Sequence, residues 1–322
     1  MFNVFVTRKL PGQGLEILRS ICNVTVYLED RNITKSELLN IVAEQDALIT
    51  MLSDPIDEEV IGAGKRLKVI ANYAVGFNNI DVAAANKRQI PVVNTPDVLT
   101  NASADFAWAL LMSTARRIIE GDTMTRSGKF AGWAPELLLG VEVYGKTLGI
   151  IGAGRIGQAV AKRAQGFDMQ VLYHNRNRLP KQVENEYNME YVELGTLLKE
   201  SDFVSLHCPL TPETKYLIGE PELGMMKPTS VLINTARGPV VDEAALVKAL
   251  QERQIYGAGL DVFEDEPALK PGLAELPNVV LAPHIASAGV ETRSKMVDMV
   301  VNDVLAVLEG RRPRNLVNPE IF

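Results

Sequence analysis

Gly152-Ala153-Gly154-Arg155-Ile156-Gly157 follows the apolar run Lys146–Ile151 (KTLGII) and opens the stretch Arg155–Phe167, which reads as a helix. Strand, glycine turn and helix in that order are the setting of a dinucleotide-binding G-x-G-x-x-G. The first glycine makes the tight turn. The second lets the backbone approach a pyrophosphate, and the third lets helix pack on strand. The helix N-terminus then faces the phosphates. Alone the motif is a weak signal, because ordinary strand-to-helix turns carry glycines too. A second strand, Gln170–Tyr173, stands at the right distance and lifts it. After that strand the acid that usually binds the ribose hydroxyls is missing. The chain reads His174-Asn175-Arg176-Asn177-Arg178 instead.

Outward from the fingerprint, short apolar runs alternate with helical segments. Before it, strands are predicted at Asn3–Thr7, Val24–Leu28, Ala47–Met51, Val69–Tyr73 and Pro91–Asn94, with amphipathic segments at Gly14–Ser20 and Lys35–Glu44. From the fingerprint strand onward a six-strand series is predicted: Thr147–Ile151, Gln170–Tyr173, Phe203–His207, Val231–Asn234, Gly257–Asp261 and Val279–Leu281. The expected fold class is α/β, with two doubly wound parallel-sheet, Rossmann-like domains. A strong apolar helix, Val290–Leu308, comes after the last strand and is expected to return to the first domain. Residues 1–98 and 289–322 then form a split, flavodoxin-like substrate-binding domain, and residues 99–288 form the dinucleotide-binding domain. Crossing segments near Val98–Asn101 and Ser287–Gly289 would make a hinge, with a substrate cleft between the domains.

Bulk properties narrow the function. The chain has 322 residues, enough for two domains, with 47% hydrophobic and 23% charged residues. A net charge of −7 without a long basic block argues against nucleic acid or an anionic membrane as partner. The longest apolar stretch, around Phe106–Met112, is too short to span a bilayer, and the N-terminus lacks the pattern of a signal peptide. The two cysteines, Cys22 and Cys208, lie far apart and make no disulfide framework, so a reducing cytoplasm is expected.

The three histidines, His174, His207 and His284, stand at or just after strand ends of the cofactor domain. Carboxyl ends of strands are where open α/β sheets bind ligands. His284 follows Leu281-Ala282-Pro283 beside the expected hinge, as a proton donor to a carbonyl would; a satisfied structural role suits His174 and His207 as well. Arg237, in Asn234-Thr235-Ala236-Arg237-Gly238, brings a planar fork for a carboxylate or keto oxygen. The acids of Asp261–Glu266 close the fifth strand, where one carboxylate can bond His284 and stabilise its protonated form. Singly, Arg237 also reads as a surface ion pair and the acids as a solvated turn. No metal-ligand cluster is expected.

GAGRIG, HCPLTPET (His207–Thr214), NTARGPVVDEAAL (Asn234–Leu246), LDVFEDEP (Leu260–Pro267) and APHIASA (Ala282–Ala288) together resemble the D-isomer-specific 2-hydroxyacid dehydrogenases. NYAVGFNNID (Asn72–Asp81) and LTNASADFAWALLMSTAR (Leu99–Arg116) resemble them too, so the likeness spans nearly the whole chain. It implies Arg237, Glu266 and His284 as catalytic residues; spacing and the following Pro267 choose Glu266 over Glu264. It implies hydride transfer from NAD(P)H to a 2-keto acid, with the proton from His284. Backbone N–H groups of Val75 and Gly76 would hold the substrate carboxylate, and donors fixed in place suit the developing alkoxide. Gly152, Gly154, Arg155, Ile156, Gly157, Thr100, His207, Cys208, Pro209, Thr214, Thr235, Ala236 and Ser287 would line the cofactor. Asp261 would orient the nicotinamide amide or support His284.

Within the family the resemblance is nearest to glyoxylate and hydroxypyruvate reductases. TMLSDPID (Thr50–Asp57) is similar to their substrate loop, which places Leu52 near a small substrate. Trp133, in the arm GWAPELLLG, would reach a neighbouring subunit of a homodimer or sit in its own core. The chain ends soon after the return helix, unlike many phosphoglycerate dehydrogenases, and formate dehydrogenases pair their histidine with glutamine. NAD-using relatives carry an aspartate at the position of Asn175. Its absence, with Arg176, Asn177 and Arg178 beside it, favours NADP(H), NAD(H) remaining possible. Alternatives are a dehydrogenase for another 2-keto acid, such as 2-ketogluconate, and a dinucleotide-sensing corepressor-like module.

Overall fold

Parallel strands buried on both faces read as continuous apolar runs, and this chain contains two sets of them. The computed structural model describes all residues 1–322, which divide into two units: Met1–Leu99 with Ser287–Phe322, and Thr100–Ala286. No helix is long and apolar enough to cross a membrane.

The first unit holds β1 (Asn3–Val6), β2 (Asn23–Val26), β3 (Ala47–Thr50), β4 (Val69–Asn72) and β5 (Val92–Val93) in one sheet ordered β2-β1-β3-β4-β5. All pairs are parallel, and this order is the flavodoxin-like one. Pro91 has no N–H for the ladder, and β5 shortens to Val92–Val93. The helix Val290–Leu308 does belong to this unit. Its face of Val297, Val300, Val301 and Val304 packs with Leu15 and Leu18 of the helix Gly14–Ile21 over Val4, Ile49 and Ala71 of the sheet. Gly14 lets the two helices touch, since a Cβ there would lie 2.9 Å from Val297 Cγ1.

The second unit holds β6 (Thr147–Ile151), β7 (Gln170–His174), β8 (Met189–Tyr191), β9 (Phe203–Leu206), β10 (Val231–Asn234), β11 (Gly257–Leu260) and β12 (Val279–Leu281). The sheet runs β12-β11-β10-β9-β6-β7-β8, all parallel. Counted from β6 this is the 3-2-1-4-5-6 order of a dinucleotide-binding sheet, with a seventh strand added at the far edge. The six-strand expectation is corrected here: β8 was missed. It is three residues long, flanked by polar sequence and paired on one side only, so no apolar run marks it. The helix Thr100–Ala115 covers this sheet with Ala104, Ala107, Trp108 and Leu111. The fingerprint helix is α-helical over Arg155–Ala164 and tightens into a 3-10 turn at Gln165–Phe167.

Candidate active site

The switch point of the second sheet lies between β6 and β9, and the glycine turn sits at that point. Gly152 has φ +95°, and a Cβ there would lie 2.4 Å from the Cys208 backbone N. Gly157 packs on the turn itself, where a Cβ would meet Gly152 O at 2.5 Å. Gly154 is different: its Cβ direction is open, with nothing within 4 Å. No side chain caps the N-terminus of the helix Arg155–Ala164, whose first turn begins beside that opening. A closed first glycine, an open second and a packed third match the spatial demands of a bound pyrophosphate.

The walls fit the same group. Thr235 Oγ1 is buried without a hydrogen-bond partner, an acceptor and donor awaiting a ligand. His207 Nε2 bonds Ser205 Oγ at 2.8 Å, and burial lowers its pKa to about 4, so the imidazole is neutral at pH 7. Burial also raises the Cys208 thiol to about 11. Thr214 Oγ1 closes its own turn, donating to Pro209 O at 2.6 Å and accepting from Thr211 N at 2.8 Å. His174 Nδ1 bonds Val192 O at 3.0 Å, a satisfied structural histidine. Thr100 starts the helix over this sheet, whereas Ser287, expected in the cofactor domain, is the first residue of the other unit's second segment.

The end of β7 gives two of the expected cofactor residues partners within the protein. Asn175 Oδ1 accepts from Ala153 N at 2.7 Å and so braces the glycine turn. Arg178 is already committed: Nε and Nη2 donate to Glu184 at 2.7 and 3.0 Å. That carboxylate is buried and also takes Tyr173 OH at 2.7 Å and Lys181 Nζ at 3.1 Å. The Arg178 fork, then Tyr173, hold the Glu184 carboxyl down at about 2. Arg176 and Asn177 are exposed, which leaves Arg176 as the arginine without an ion pair at this strand end.

The three expected catalytic residues belong to this unit. Glu266 Oε2 meets His284 Nδ1 at 2.9 Å, and Glu266 Oε1 accepts from Phe263 N at 3.0 Å. Burial opposes the Glu266 charge, but His284, the Phe263 N–H and Arg237 outweigh it and hold the carboxyl below its usual range. Burial pulls the Arg237 guanidinium downward while Glu266 opposes the shift; it stays charged at any working pH. Because Nδ1 is turned to Glu266, His284 Nε2 is the atom left to exchange a proton.

Backbone geometry holds this arrangement. His284 has φ +55°, a left-handed conformation for a non-glycine residue that costs about 1–3 kcal/mol. Fully buried Asp261 clamps the next two peptides, accepting Ile285 N at 2.7 Å and Ala286 N at 2.8 Å. These bonds fix the two peptides that follow His284. Sequence reading missed two further residues. Buried Asn234 accepts from Ala236 N and donates to Arg237 O, both at 3.0 Å, folding the Arg237 loop back on the end of β10. Gly238 lets that loop touch the loop after β11: a Cβ there would lie 1.9 Å from Phe263 C. The available signal was an asparagine closing an otherwise apolar strand, VLIN.

Leu52, Val75 and Gly76 lie in the first unit, at the carboxyl ends of β3 and β4. Trp133 is 85% exposed, so it is not a core aromatic of its own chain. Phe130, Leu137 and Leu139 of the same arm are exposed as well.

A family model described as D-isomer specific 2-hydroxyacid dehydrogenase, NAD binding domain, matches residues 108–286. The chain belongs to this family of oxidoreductases, and its cofactor is a nicotinamide dinucleotide. At the level of single proteins, it is 54% identical to the glyoxylate reductase of Thermococcus gammatolerans over 322 residues, 99% of this chain and 96% of that protein. A solved structure from Thermus thermophilus superposes with a TM-score of 0.93 at 48% identity, covering 98% of this chain and 99% of that one. The NADPH-dependent glyoxylate/hydroxypyruvate reductase of Sinorhizobium meliloti, solved with NADP and malonate, gives a TM-score of 0.86 at 33% identity, covering 98% and 96%.

Proposed function

We propose that this chain reduces glyoxylate and hydroxypyruvate to glycolate and D-glycerate, with NADPH preferred over NADH. The observation that carries the reading is the Glu266–His284 bond at 2.9 Å, beside Arg237, in a unit whose switch point holds the open glycine turn. The glyoxylate reductases to which this chain is 53–54% identical support the substrate. Arg237 binds the keto oxygen and carboxylate, in partly buried surroundings that strengthen its attraction to an anion. His284, held at Nδ1 by Glu266, gives its Nε2 proton to the oxygen as the alcohol forms. Asp261 and Asn234 keep His284 and Arg237 in place. N–H groups of Val75 and Gly76 hold the carboxylate, and Leu52 limits substrate size.

A bound reduced nicotinamide supplies the hydride. The turn at Gly152–Gly157 holds the pyrophosphate, with Thr235, Ala236, Cys208 and Pro209 along the wall. Asn175 removes the repulsion an aspartate would exert on a 2′-phosphate, and Arg176 supplies the pairing charge. The exposed arm with Trp133, Phe130 and Leu139 supports a homodimer in which Trp133 reaches the neighbouring subunit. The absence of a disulfide, with both cysteines free, agrees with a cytoplasmic enzyme. The test is a steady-state matrix of NADPH and NADH against glyoxylate, hydroxypyruvate, 2-ketogluconate and pyruvate. The highest kcat/KM is expected for NADPH with glyoxylate or hydroxypyruvate. A clear NADH preference would overturn the cofactor reading, and a larger keto acid leading the panel would overturn the substrate.

A further inference from the structure

The loop Ala74–Phe77 in the first unit is held by its carbonyl groups. Ala74 O accepts from Thr95 N at 2.9 Å. Val75 O accepts from Asn94 Nδ2 at 2.7 Å, and Gly76 O accepts from Asn72 Nδ2 at 2.7 Å. Three successive carbonyls are thus held by the ends of β4 and β5. These peptides are trans, the only cis bond being Glu266–Pro267, and in a trans peptide the N–H points opposite to the C=O. Fixing the three carbonyls therefore turns the N–H groups of Val75, Gly76 and Phe77 the other way, and none of the three makes a backbone hydrogen bond. Successive N–H groups left without a backbone partner can take an anion.

Asn72 is itself locked. It is fully buried, its Oδ1 accepts from Thr50 Oγ1 at 3.0 Å, and its Nδ2 also reaches Asn79 Oδ1 at 3.1 Å. Asn79 Nδ2 in turn donates to Met51 O at 3.0 Å and Asp54 O at 3.1 Å, tying in the loop that carries Leu52. We infer that Asn94 and Asn72 are positioning residues: each pins one peptide plane by its carbonyl, so that the N–H groups of Gly76 and Phe77 stand ready for the substrate carboxylate. This rests on the reading above, in which that loop binds a 2-keto acid. It adds Phe77 N–H as a third donor and assigns the alignment to two side-chain amides.

The test is Asn94→Leu, near in size but without a donor, with Asn94→Asp, which sets a carboxylate against Val75 O. Kinetics with glyoxylate, oxamate inhibition and cofactor affinity by fluorescence are measured on each and on the wild type. Losing one charge-assisted bond predicts a rise of roughly ten- to hundredfold in glyoxylate KM and oxamate Ki. The rise is expected to be larger for Asn94→Asp, with cofactor Kd unchanged and kcat within about threefold. A merely structural role would move Tm and cofactor Kd with the KM. Asn94 is half-buried, so its variants are expected to fold; should either not, Thr50→Val, which removes the nearer of the two donors to Asn72 Oδ1 and leaves Asn79 Nδ2 at 3.3 Å, is read the same way. Glyoxylate KM and oxamate Ki within twofold of the wild type would overturn the inference. A wild type that reduces no 2-keto acid would overturn the functional reading beneath it instead.

Discussion

Replacing the first two fingerprint glycines one at a time separates two physical demands that their sequence leaves joined. Gly154 has φ −74° and ψ −162°, a conformation open to any L residue, and an added Cβ meets nothing within 4 Å. For Gly154→Ala the poorer N-cap costs a few tenths of a kcal/mol to about 1. The stiffer unfolded chain returns about 0.4–1 kcal/mol. Stability should therefore stay within about 1 kcal/mol of the wild type. In the bound state, however, the methyl occupies the space the pyrophosphate needs. Weakening one or two charge-assisted N–H bonds of about 1.5–3 kcal/mol raises the dinucleotide KM at least roughly tenfold. Gly152→Ala behaves in the opposite way. At φ +95° with a Cβ 2.4 Å from Cys208 N, the left-handed penalty of about 1–2 kcal/mol adds to about 1–3 kcal/mol of overpacking. Urea unfolding and fluorescence titration with NADPH read the two effects independently. A Gly154→Ala protein that is stable and binds NADPH as the wild type does would refute the assignment of that opening to the pyrophosphate.

Other outcomes follow from the ends of β7 and β11. Arg176→Ala should lower the NADPH-to-NADH ratio of kcat/KM roughly ten- to hundredfold, the effect of one lost charge-assisted pair, whereas Arg178→Ala should mainly lower Tm by leaving buried Glu184 with only Tyr173 and Lys181 as partners. Glu184 is held at about 2 against an ordinary 4.5, so its contribution to stability is full above about pH 4.5 and lost as pH falls toward about 2. Urea midpoints from pH 6 to pH 3 should fall less steeply for Glu184→Gln than for the wild type. Asp261→Asn leaves one of the Ile285 and Ala286 N–H groups facing a donor, which costs about 1–3 kcal/mol. By loosening His284 it should reduce kcat roughly tenfold or more while cofactor Kd is kept.

What the residues disclosed depended on how local each signal was. GAGRIG between KTLGII and a helix is local, and so are the apolar parallel strands, so both sheets and the return of Val290–Leu308 were legible. Strand β8 was not, because three residues at a sheet edge bury too little to leave an apolar run. Arg237, Glu266 and His284 were visible as chemistry at strand ends, but their meeting depends on long-range contacts. The Gly238 backbone against Phe263 and the Asp261 clamp on Ile285 and Ala286 supply those contacts. The Arg178–Glu184 pair was not legible for the same reason. Charge in HNRNR reads alike for a free and a committed arginine, and only folding brings Glu184 beneath it.

The most direct test of the account is the steady-state rate of glyoxylate reduction with NADPH by the wild type and by His284→Ala, compared at saturating substrate. Loss of the proton donor predicts a kcat lower by roughly 10²–10⁴, with NADPH affinity unchanged because His284 is placed on the keto oxygen. A His284→Ala enzyme that keeps the wild-type kcat would contradict the assignment of the Glu266–His284 pair as the source of the proton.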